Sequence, residues 1–237
     1  MHFKKRLMGR SVAMVAIGLL FASSASALPN YEETFSTDAA GWTNHGRTAA
    51  GWDATGGPDG SGAATVDMNY GTFVPPFPGA GPIVFRCETL GAGCSGGNFV
   101  GNWSNINLLS IKVKHDAPVP LAFYMRLAVS PAGFPGGLYP YQGAPVAPNT
   151  WTQLDWDPNN TAVGNCIDEG PPGSTCPATI ANVGYLQFGT DTPAAATGTY
   201  NFAFDNVKAV PEPGTAAMLF LGLSGLGMWN RRMSGRH

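Results

Sequence analysis

One five-residue stretch has the residue types of a serine hydrolase. Residues 93–97 (GCSGG) fit the pattern G-x-S-x-G, in which a serine nucleophile lies on a strained turn between a strand and a helix. No helical pattern follows Gly97, and Cys94 has a possible disulfide partner, Cys87, seven residues earlier. These features favour a cross-linked turn over a nucleophile.

Two pairs of neighbouring acidic residues are a second possible source of catalysis. Asp155 lies near Asp157, and Asp168 adjoins Glu169. Glycoside hydrolysis uses two carboxyl groups at a fixed separation, which sequence proximity does not supply. The chain is therefore predicted to be non-catalytic, with a secreted glycoside hydrolase or lyase as the least favoured alternative.

Aromatic side chains next to amides suggest a different chemistry, the binding of saccharides. Trp103 lies between Asn102 and Asn105, and Tyr139 and Tyr141 lie in a proline-rich segment. Aromatic faces pack against sugar rings while nearby amides bond the hydroxyls. Trp103, Tyr139 and Tyr141 are thus the predicted carbohydrate-binding residues. The alternative is burial in the core, which stays open for Trp103 and is favoured for Trp42, Trp151 and Trp156.

The four cysteines form two pairs that are close in sequence, Cys87 with Cys94 and Cys166 with Cys176. Three connectivities are possible, and two local disulfides are favoured in an exported protein. A metal site is disfavoured because neither spacing matches the usual zinc pattern.

The central region alternates apolar and polar residues with period two, which predicts strands. The clearest runs are residues 109–114 and 120–129, separated by a turn at residues 116–118, and they predict an antiparallel hairpin. Residues 131–148 are expected to form a long loop, and no convincing helical period is present. Further strands are predicted at residues 31–35, 64–70, 83–86, 152–156, 183–188 and 200–207. The predicted fold is all-β, a single jelly-roll-like β-sandwich at residues 28–209.

The first 27 residues have the three parts of a secretory signal peptide. Basic residues precede a short apolar run, and Ala25 and Ala27 supply the small-residue cleavage site. Residues 1–27 are therefore predicted to direct export and to be removed.

The last 28 residues combine a proline-rich break, an apolar stretch and a basic end. Pro211, Glu212 and Pro213 cannot continue a strand or a helix, so they predict a stiff, exposed linker. Residues 214–229 are uncharged, and as a helix they would span about 24 Å. This is short of the roughly 30 Å bilayer core, which predicts temporary rather than permanent anchoring. Arg231 and Arg232 would stay on the cytoplasmic side.

This tail, residues 210–237 with the motif at 210–214 and a helix at about 214–230, resembles the PEP-CTERM sorting signal of Gram-negative bacteria. The resemblance implies an inner-membrane intermediate with the domain in the periplasm, processing by an exosortase, and delivery to the cell surface or extracellular matrix. The mature chain is then expected to end near residues 210–213.

The two ends of the central region are similar to the terminal strands of galactose-binding-like jelly rolls, which include many carbohydrate-binding modules. The matching segments are residues 33–35, 38–42 and 202–207. The resemblance implies a structural Ca²⁺, with Asp205 as the first candidate ligand and Glu33 or Asp38 as the next. The alternative is that Asp205 is simply a solvated or hydrogen-bonded acid on the face opposite to Phe202 and Phe204.

The charge of the central region narrows the possible partners. The whole chain has a formal net charge of −2, but residues 28–209 hold six basic against 14 acidic residues, a net charge of about −8. An acidic domain without a basic cluster argues against nucleic-acid binding. The favoured hypothesis is a surface protein that binds exopolysaccharide, and the main alternative is a structural or adhesive matrix protein without a sugar site.

Overall fold

The computed structural model describes residues 31–74, 81–88, 93–130, 133–139, 144–162, 164–169 and 175–212. Its strands are β1 (Tyr31–Glu33), β2 (Gly51–Asp53), β3 (Ala63–Asn69), β4 (Ile83–Glu88), β5 (Ile106–His115), β6 (Phe123–Ser130), β7 (Gly133–Tyr139), β8 (Thr152–Trp156), β9 (Ile167–Asp168), β10 (Tyr185–Thr190) and β11 (Thr199–Pro211). A 3-10 helix (Cys94–Gly97) and helix α1 (Cys176–Ile180) lie between them. The predicted signal peptide and membrane helix are outside these residues, and no helix within them is long and apolar enough to cross a bilayer.

The strands form two antiparallel sheets. Sheet A has the order β2-β3-β11-β5-β8, with β1 also pairing with β11, and sheet B has the order β4-β10-β6-β7-β9. The predicted all-β, jelly-roll-like sandwich is confirmed. Its long last strand, β11, lies in the middle of sheet A and pairs with β1, β3 and β5.

Alternation along the strands explains which sheet faces meet. In β3, Ala64, Val66 and Met68 are buried while Asp67 and Asn69 are exposed. Period-two side chains of this kind give each sheet one apolar face. Aromatic rings from both sheets then meet in the core, where Phe85 of β4 stacks on Phe204 of β11 with ring centroids 4.2 Å apart. Trp42 also stacks on Phe85, with ring centroids 4.5 Å apart.

The predicted hairpin between the two clearest strands is wrong. Strand β5 pairs with β11 and β8 in sheet A, whereas β6 pairs with β10 and β7 in sheet B. The link between them crosses from one sheet to the other, with Asp116 accepting a hydrogen bond from the Asn201 backbone N–H at 2.8 Å. Because the apolar residues of both strands are buried, they face each other across the core instead of lying side by side.

The expected long loop at residues 131–148 contains a strand. Strand β7 has the sequence GFPGGLY, whose glycines and proline hide any alternation, yet it pairs with β6 on one side and β9 on the other. Pairing with a strand on each side decides this strand, since its own residues disfavour one. The short helix α1 was also not predicted.

Both local disulfides are confirmed. Cys87 pairs with Cys94 and Cys166 with Cys176, with Cα atoms 5.2 and 6.4 Å apart. The second bridge ties the segment that contains β9 to the start of α1. The first bridge joins β4 to the 3-10 helix.

Removing the second bridge should destabilise the domain measurably. We expect the double variant Cys166→Ala/Cys176→Ala to lose about 2–3 kcal/mol of unfolding free energy, because a ten-residue separation closes a loop that the unfolded chain would otherwise sample. Urea unfolding monitored by tryptophan fluorescence would measure the change. An unfolding midpoint equal to that of the unreduced parent would contradict this contribution.

Candidate functional site

The C-terminal motif begins inside the last strand. Pro211 is the final residue of β11, is half-buried and lies opposite Ile106 of β5. The backbone N–H of the next residue, Glu212, donates to the carbonyl oxygen of Asn105 at 2.8 Å. Pro211 is therefore held by the sheet and does not stand free as the sequence had suggested. Pro213, Arg231 and Arg232, like Ala25 and Ala27, lie outside the described residues.

The serine of the GCSGG stretch is a core residue. Ser95 is buried, and its Oγ accepts a hydrogen bond from Trp42 Nε1 at 2.8 Å. The 3-10 helix around it is cross-linked to β4 through Cys94 and Cys87. The hydroxyl thus orients a buried tryptophan, which accounts for its position without nucleophilic chemistry.

The predicted aromatic platform is not brought together in the described residues. Trp103 has 0% exposure and belongs to the core cluster, so its ring offers no surface to a ligand. Tyr139 ends β7 opposite Met125, and Tyr141 lies outside the described residues. Trp42 and Trp156 are also in the core, as expected, while Trp151 is half-buried beneath the ammonium group of Lys114.

The carboxylates proposed for calcium are engaged separately. Glu33 accepts a hydrogen bond from the Phe35 N–H at 2.9 Å, and Asp38 accepts one from the Ala40 N–H at 2.6 Å. Asp205 is only 1% exposed, so of the two alternatives, a solvated or a hydrogen-bonded acid, it is the hydrogen-bonded one. Glu33, Asp38 and Asp205 therefore share no hydrogen-bond partner among the described residues.

Asp205 is bonded to neighbouring groups of its own. It accepts hydrogen bonds from the Asn206 N–H at 2.7 Å and from the Ser61 hydroxyl at 3.3 Å. Among the His, Cys, Asp and Glu side chains of the described residues, the one group of three with ligand atoms within 4.8 Å of one another is Cys166, Asp168 and Cys176. Its two sulfurs are already joined in a disulfide. Calcium at Asp205 remains a prediction.

A polar groove lies on the solvent face of sheet A. It consists of two adjoining depressions of about 300 and 210 Å³ that share Asn44 and Asp67. Asp67 of β3 is directly opposite Asn201 of β11, and the Asn201 Nδ2 amide donates to Asp67 Oδ1 at 3.0 Å. The groove is lined by Asn44, His45, Asp67, Asn69, Phe73 and Asn201.

Local hydrogen bonds hold the amide groups of the groove in place. Asn44 Oδ1 accepts from the Thr48 N–H at 3.0 Å, and Asn69 Oδ1 accepts from the Thr72 N–H at 3.2 Å. In both residues the oxygen is occupied by the backbone, which leaves the Nδ2 group to donate into the groove. Donors fixed in this way lose little conformational entropy when they bind a ligand.

The larger depression has an apolar wall made of two rings. His45 and Phe73 meet edge to face with centroids 5.8 Å apart. Partial burial, followed by the charge of Arg86, lowers the pKa of His45, so its imidazole is neutral at pH 7. The wall therefore carries no charge, and the one ionised group of the groove is Asp67 among the described lining residues.

The groove residues were missed in the sequence, although one signal for them was present. Asp67 and Asn69 occupy the solvent-facing positions of a predicted strand, and Asn201 does so near the start of another. What the sequence does not contain is the pairing of β3 with β11, which places residues 134 positions apart in contact.

Comparison with known families identifies the end of the chain. Residues 209–232 match the PEP-CTERM protein-sorting motif. The chain carries a PEP-CTERM sorting signal. The match begins at Ala209, so it overlaps the last three residues of β11.

No curated protein matches the chain significantly. Among solved structures it is similar to the carbohydrate-binding and catalytic modules of xylanase 10B from Clostridium thermocellum complexed with xylohexaose (16% identity, 77% of this chain and 28% of that one, TM-score 0.43). It is also similar to a xylan-binding domain of carbohydrate-binding module family 22 (16% identity, 79% of this chain and 96% of that one, TM-score 0.42). A third similar structure is a family 30 carbohydrate-binding module of a Clostridium thermocellum cellulosomal cellulase (9% identity, 80% of this chain and 95% of that one, TM-score 0.39). The chain thus spans little more than a quarter of the xylanase chain.

Proposed function

We propose that this is an exported, non-catalytic protein that its PEP-CTERM signal delivers to the cell surface or extracellular matrix, where the sandwich binds exopolysaccharide. Sorting would proceed through an inner-membrane intermediate processed by an exosortase, with the domain in the periplasm. The binding site that we assign is the polar groove of sheet A. The observation that carries this assignment is the row of fixed amides and one carboxylate beside an uncharged aromatic wall.

The chemistry of the groove suits a neutral saccharide. Sugar hydroxyls both donate and accept, and here Asn44 and Asn69 offer donors while Asp67 offers carboxylate oxygens. The ring of Phe73 provides an apolar surface for the C–H face of a pyranose. Because the two depressions adjoin, the groove is elongated and would take successive units of a chain. The larger depression, at about 300 Å³, is at the lower end of the usual range of about 300–1,000 Å³ for ligand sites.

The same lining favours binding over cleavage. Glycoside hydrolysis uses two carboxyl groups placed on either side of the bond that breaks. Among the described residues that line the groove, Asp67 is the single carboxylate, and it is bonded to Asn201. A sugar held here would meet a hydrogen-bond acceptor without the partner acid that hydrolysis requires.

Truncating the groove should weaken retention on polysaccharide. We expect Asp67→Ala and Asn201→Ala each to lower the affinity about 5- to 10-fold, because each removes roughly 1 kcal/mol of hydrogen bonding. The probe is exopolysaccharide from the producing strain in an affinity gel, with the full-length protein in a non-sugar detergent. Gln153→Ala in β8, at the other edge of sheet A, is the matched control. The Gln153 side chain is exposed, and its hydrogen bonds among the described residues go to Asp155 alone.

The outcomes separate the competing functions. Retention of the parent protein together with full retention of both groove variants would place the sugar elsewhere on the domain. No retention of the parent on any polysaccharide of the strain would favour the structural or adhesive alternative. Release of new reducing ends during the assay would favour a hydrolase.

A further inference from the structure

All three arginines of residues 28–209 lie together on the solvent side of sheet B. Arg86 of β4 is opposite Gln187 of β10, which is in turn opposite Arg126 of β6. Arg47, from the loop before β2, reaches the same place through Glu88. Half of the six basic residues of a domain with a net charge of about −8 therefore lie at this place. We call this set, with Tyr185, the arginine face.

The acidic residues on the arginine face do not balance the charge. Glu88 is shared, with Oε2 3.1 Å from Arg47 Nε and Oε1 2.8 Å from Arg86 Nη1. Arg126 pairs with Glu169 and donates from Nη1 to Gln187 Oε1 at 2.7 Å. Among the described residues of the arginine face, three guanidinium groups therefore face two carboxylates, which leaves one positive charge in excess.

Two buried groups of the arginine face donate a hydrogen bond to no residue that the structure describes. They are Arg86 Nε and the hydroxyl of Tyr185, whose oxygen lies beside the Arg47 guanidinium, and both Arg86 and Tyr185 are more than nine-tenths buried. Tyr185 is opposite Glu88 in the sheet, one row from the pair formed by Arg86 and Gln187. Burial, then the charge of Glu88, raises the pKa of Tyr185, so the hydroxyl keeps its proton and can donate. Buried donors are normally satisfied, and unpaired ones require an explanation.

The unpaired donors and the excess charge have one chemistry in common. A carboxylate accepts several hydrogen bonds, pairs well with guanidinium groups and would neutralise the excess charge. The side chain of Arg47 is 54% exposed, so it marks where the arginine face meets solvent. We propose that the arginine face is a second binding site, for the carboxylate of an acidic sugar unit such as a hexuronate. This site adjoins the groove, since Arg47 directly follows the lining residue Gly46, but none of its arginines is among the described lining residues of the groove.

A matched pair of polymers tests the charge requirement. Polygalacturonate and its fully methyl-esterified form have the same backbone and differ only in the carboxylate. For the full-length protein in a non-sugar detergent, we expect at least tenfold tighter binding of polygalacturonate, decreasing with added salt. Equal binding of the two polymers, or no binding of polygalacturonate, would overturn the proposal.

Variants separate binding from a structural role. Tyr185→Phe removes only a buried hydroxyl that donates to no described residue, so we expect an unchanged or higher melting temperature together with a roughly fivefold loss of affinity for polygalacturonate. Arg47→Gln should lower the affinity about tenfold and reduce its salt dependence. Lys114→Gln, which removes a positive charge from sheet A, is the control and should bind as the parent does. Parent-like binding by both Tyr185→Phe and Arg47→Gln would overturn the proposal, as would an equal loss in the control.

Discussion

Replacing Asp205 by Asn stabilises the domain above pH 6 and removes a pH dependence of its unfolding. Burial, opposed by the hydrogen bonds from Asn206 and Ser61, raises the pKa of Asp205 from the ordinary value of 3.8 to about 6. Between these two pH values the folded chain holds a proton that the unfolded chain has released, so stability falls as the pH rises. Above pH 6 the full cost of ionising a buried carboxylate is present, up to about 3 kcal/mol.

Asparagine has nearly the same shape and no charge, so it avoids this cost. Its Oδ1 can still accept from the Asn206 N–H, and its Nδ2 can donate to the Ser61 hydroxyl. We expect Asp205→Asn to be about 1–3 kcal/mol more stable than the parent at pH 7.5 and equal to it at pH 3.5. Thermal unfolding measured across this pH range, in EDTA, would give both values.

The exposed Asp155 provides the matched control for this experiment. It lies on the solvent face of sheet A and is bonded only by the Gln153 amide. Asp155→Asn should leave the slope of stability against pH between 4 and 6 as it is in the parent. A stability difference between parent and Asp205→Asn that moves in favour of the parent as the pH rises through this range would show that the carboxylate of Asp205 is stabilised in the fold, contrary to the expectation.

A calcium ion bound at Asp205 would turn the stability gain expected for Asp205→Asn into a loss. A cation favours the ionised carboxylate, so calcium would then raise the melting temperature of the parent and Asp205→Asn would lose that gain. The structure leaves Glu33 and Asp38 bonded to backbone N–H groups of their own segments. Melting with and without EDTA therefore tests the ion independently of the pH dependence.

Alternation predicted the individual strands well because one side of each sheet is buried. Strand β8 coincides with its predicted range, and β3 and β10 are displaced by one or two residues. Which strands lie next to each other in a sheet was not predictable from alternation. Residues 109–114 and 120–129 each have an apolar face whether they adjoin in one sheet or oppose each other in two, and the sequence between them does not distinguish these arrangements.

The same limit applies to the candidate sites. The amides around Trp103 suggested a platform, but burial depends on which strands close over the ring, and that is a property of the whole sandwich. The Asp67–Asn201 contact and the arginine face are built by residues about 40 or more positions apart. Local spacing found the disulfides, whose partners are seven and ten residues apart, because closeness in sequence restricts their pairing.

Ending the chain after Val207 destabilises the sandwich, whereas ending it after Glu212 does not. The segment between them completes β11, where Ala209 is buried between Tyr31 of β1 and Leu109 of β5. Its removal deletes backbone bonds to two strands in the middle of sheet A. At roughly 1 kcal/mol for each lost bond and the apolar burial, we expect a loss of about 3–5 kcal/mol. Urea unfolding of the two truncated chains would measure it.

This requirement restricts where sorting can cut the protein. The PEP-CTERM match starts at Ala209, yet the sheet uses the chain as far as the Glu212 N–H. Val210, Pro211 and the Glu212 N–H all pair with β5 or with the residue before it. We therefore expect a stable surface product to end at or beyond Glu212. Intact-mass measurement of protein released from the cell surface should give that end. A product ending before Val210 with parent-like stability would contradict the role of the strand end, and one that retains Trp229 and Arg232 would contradict processing.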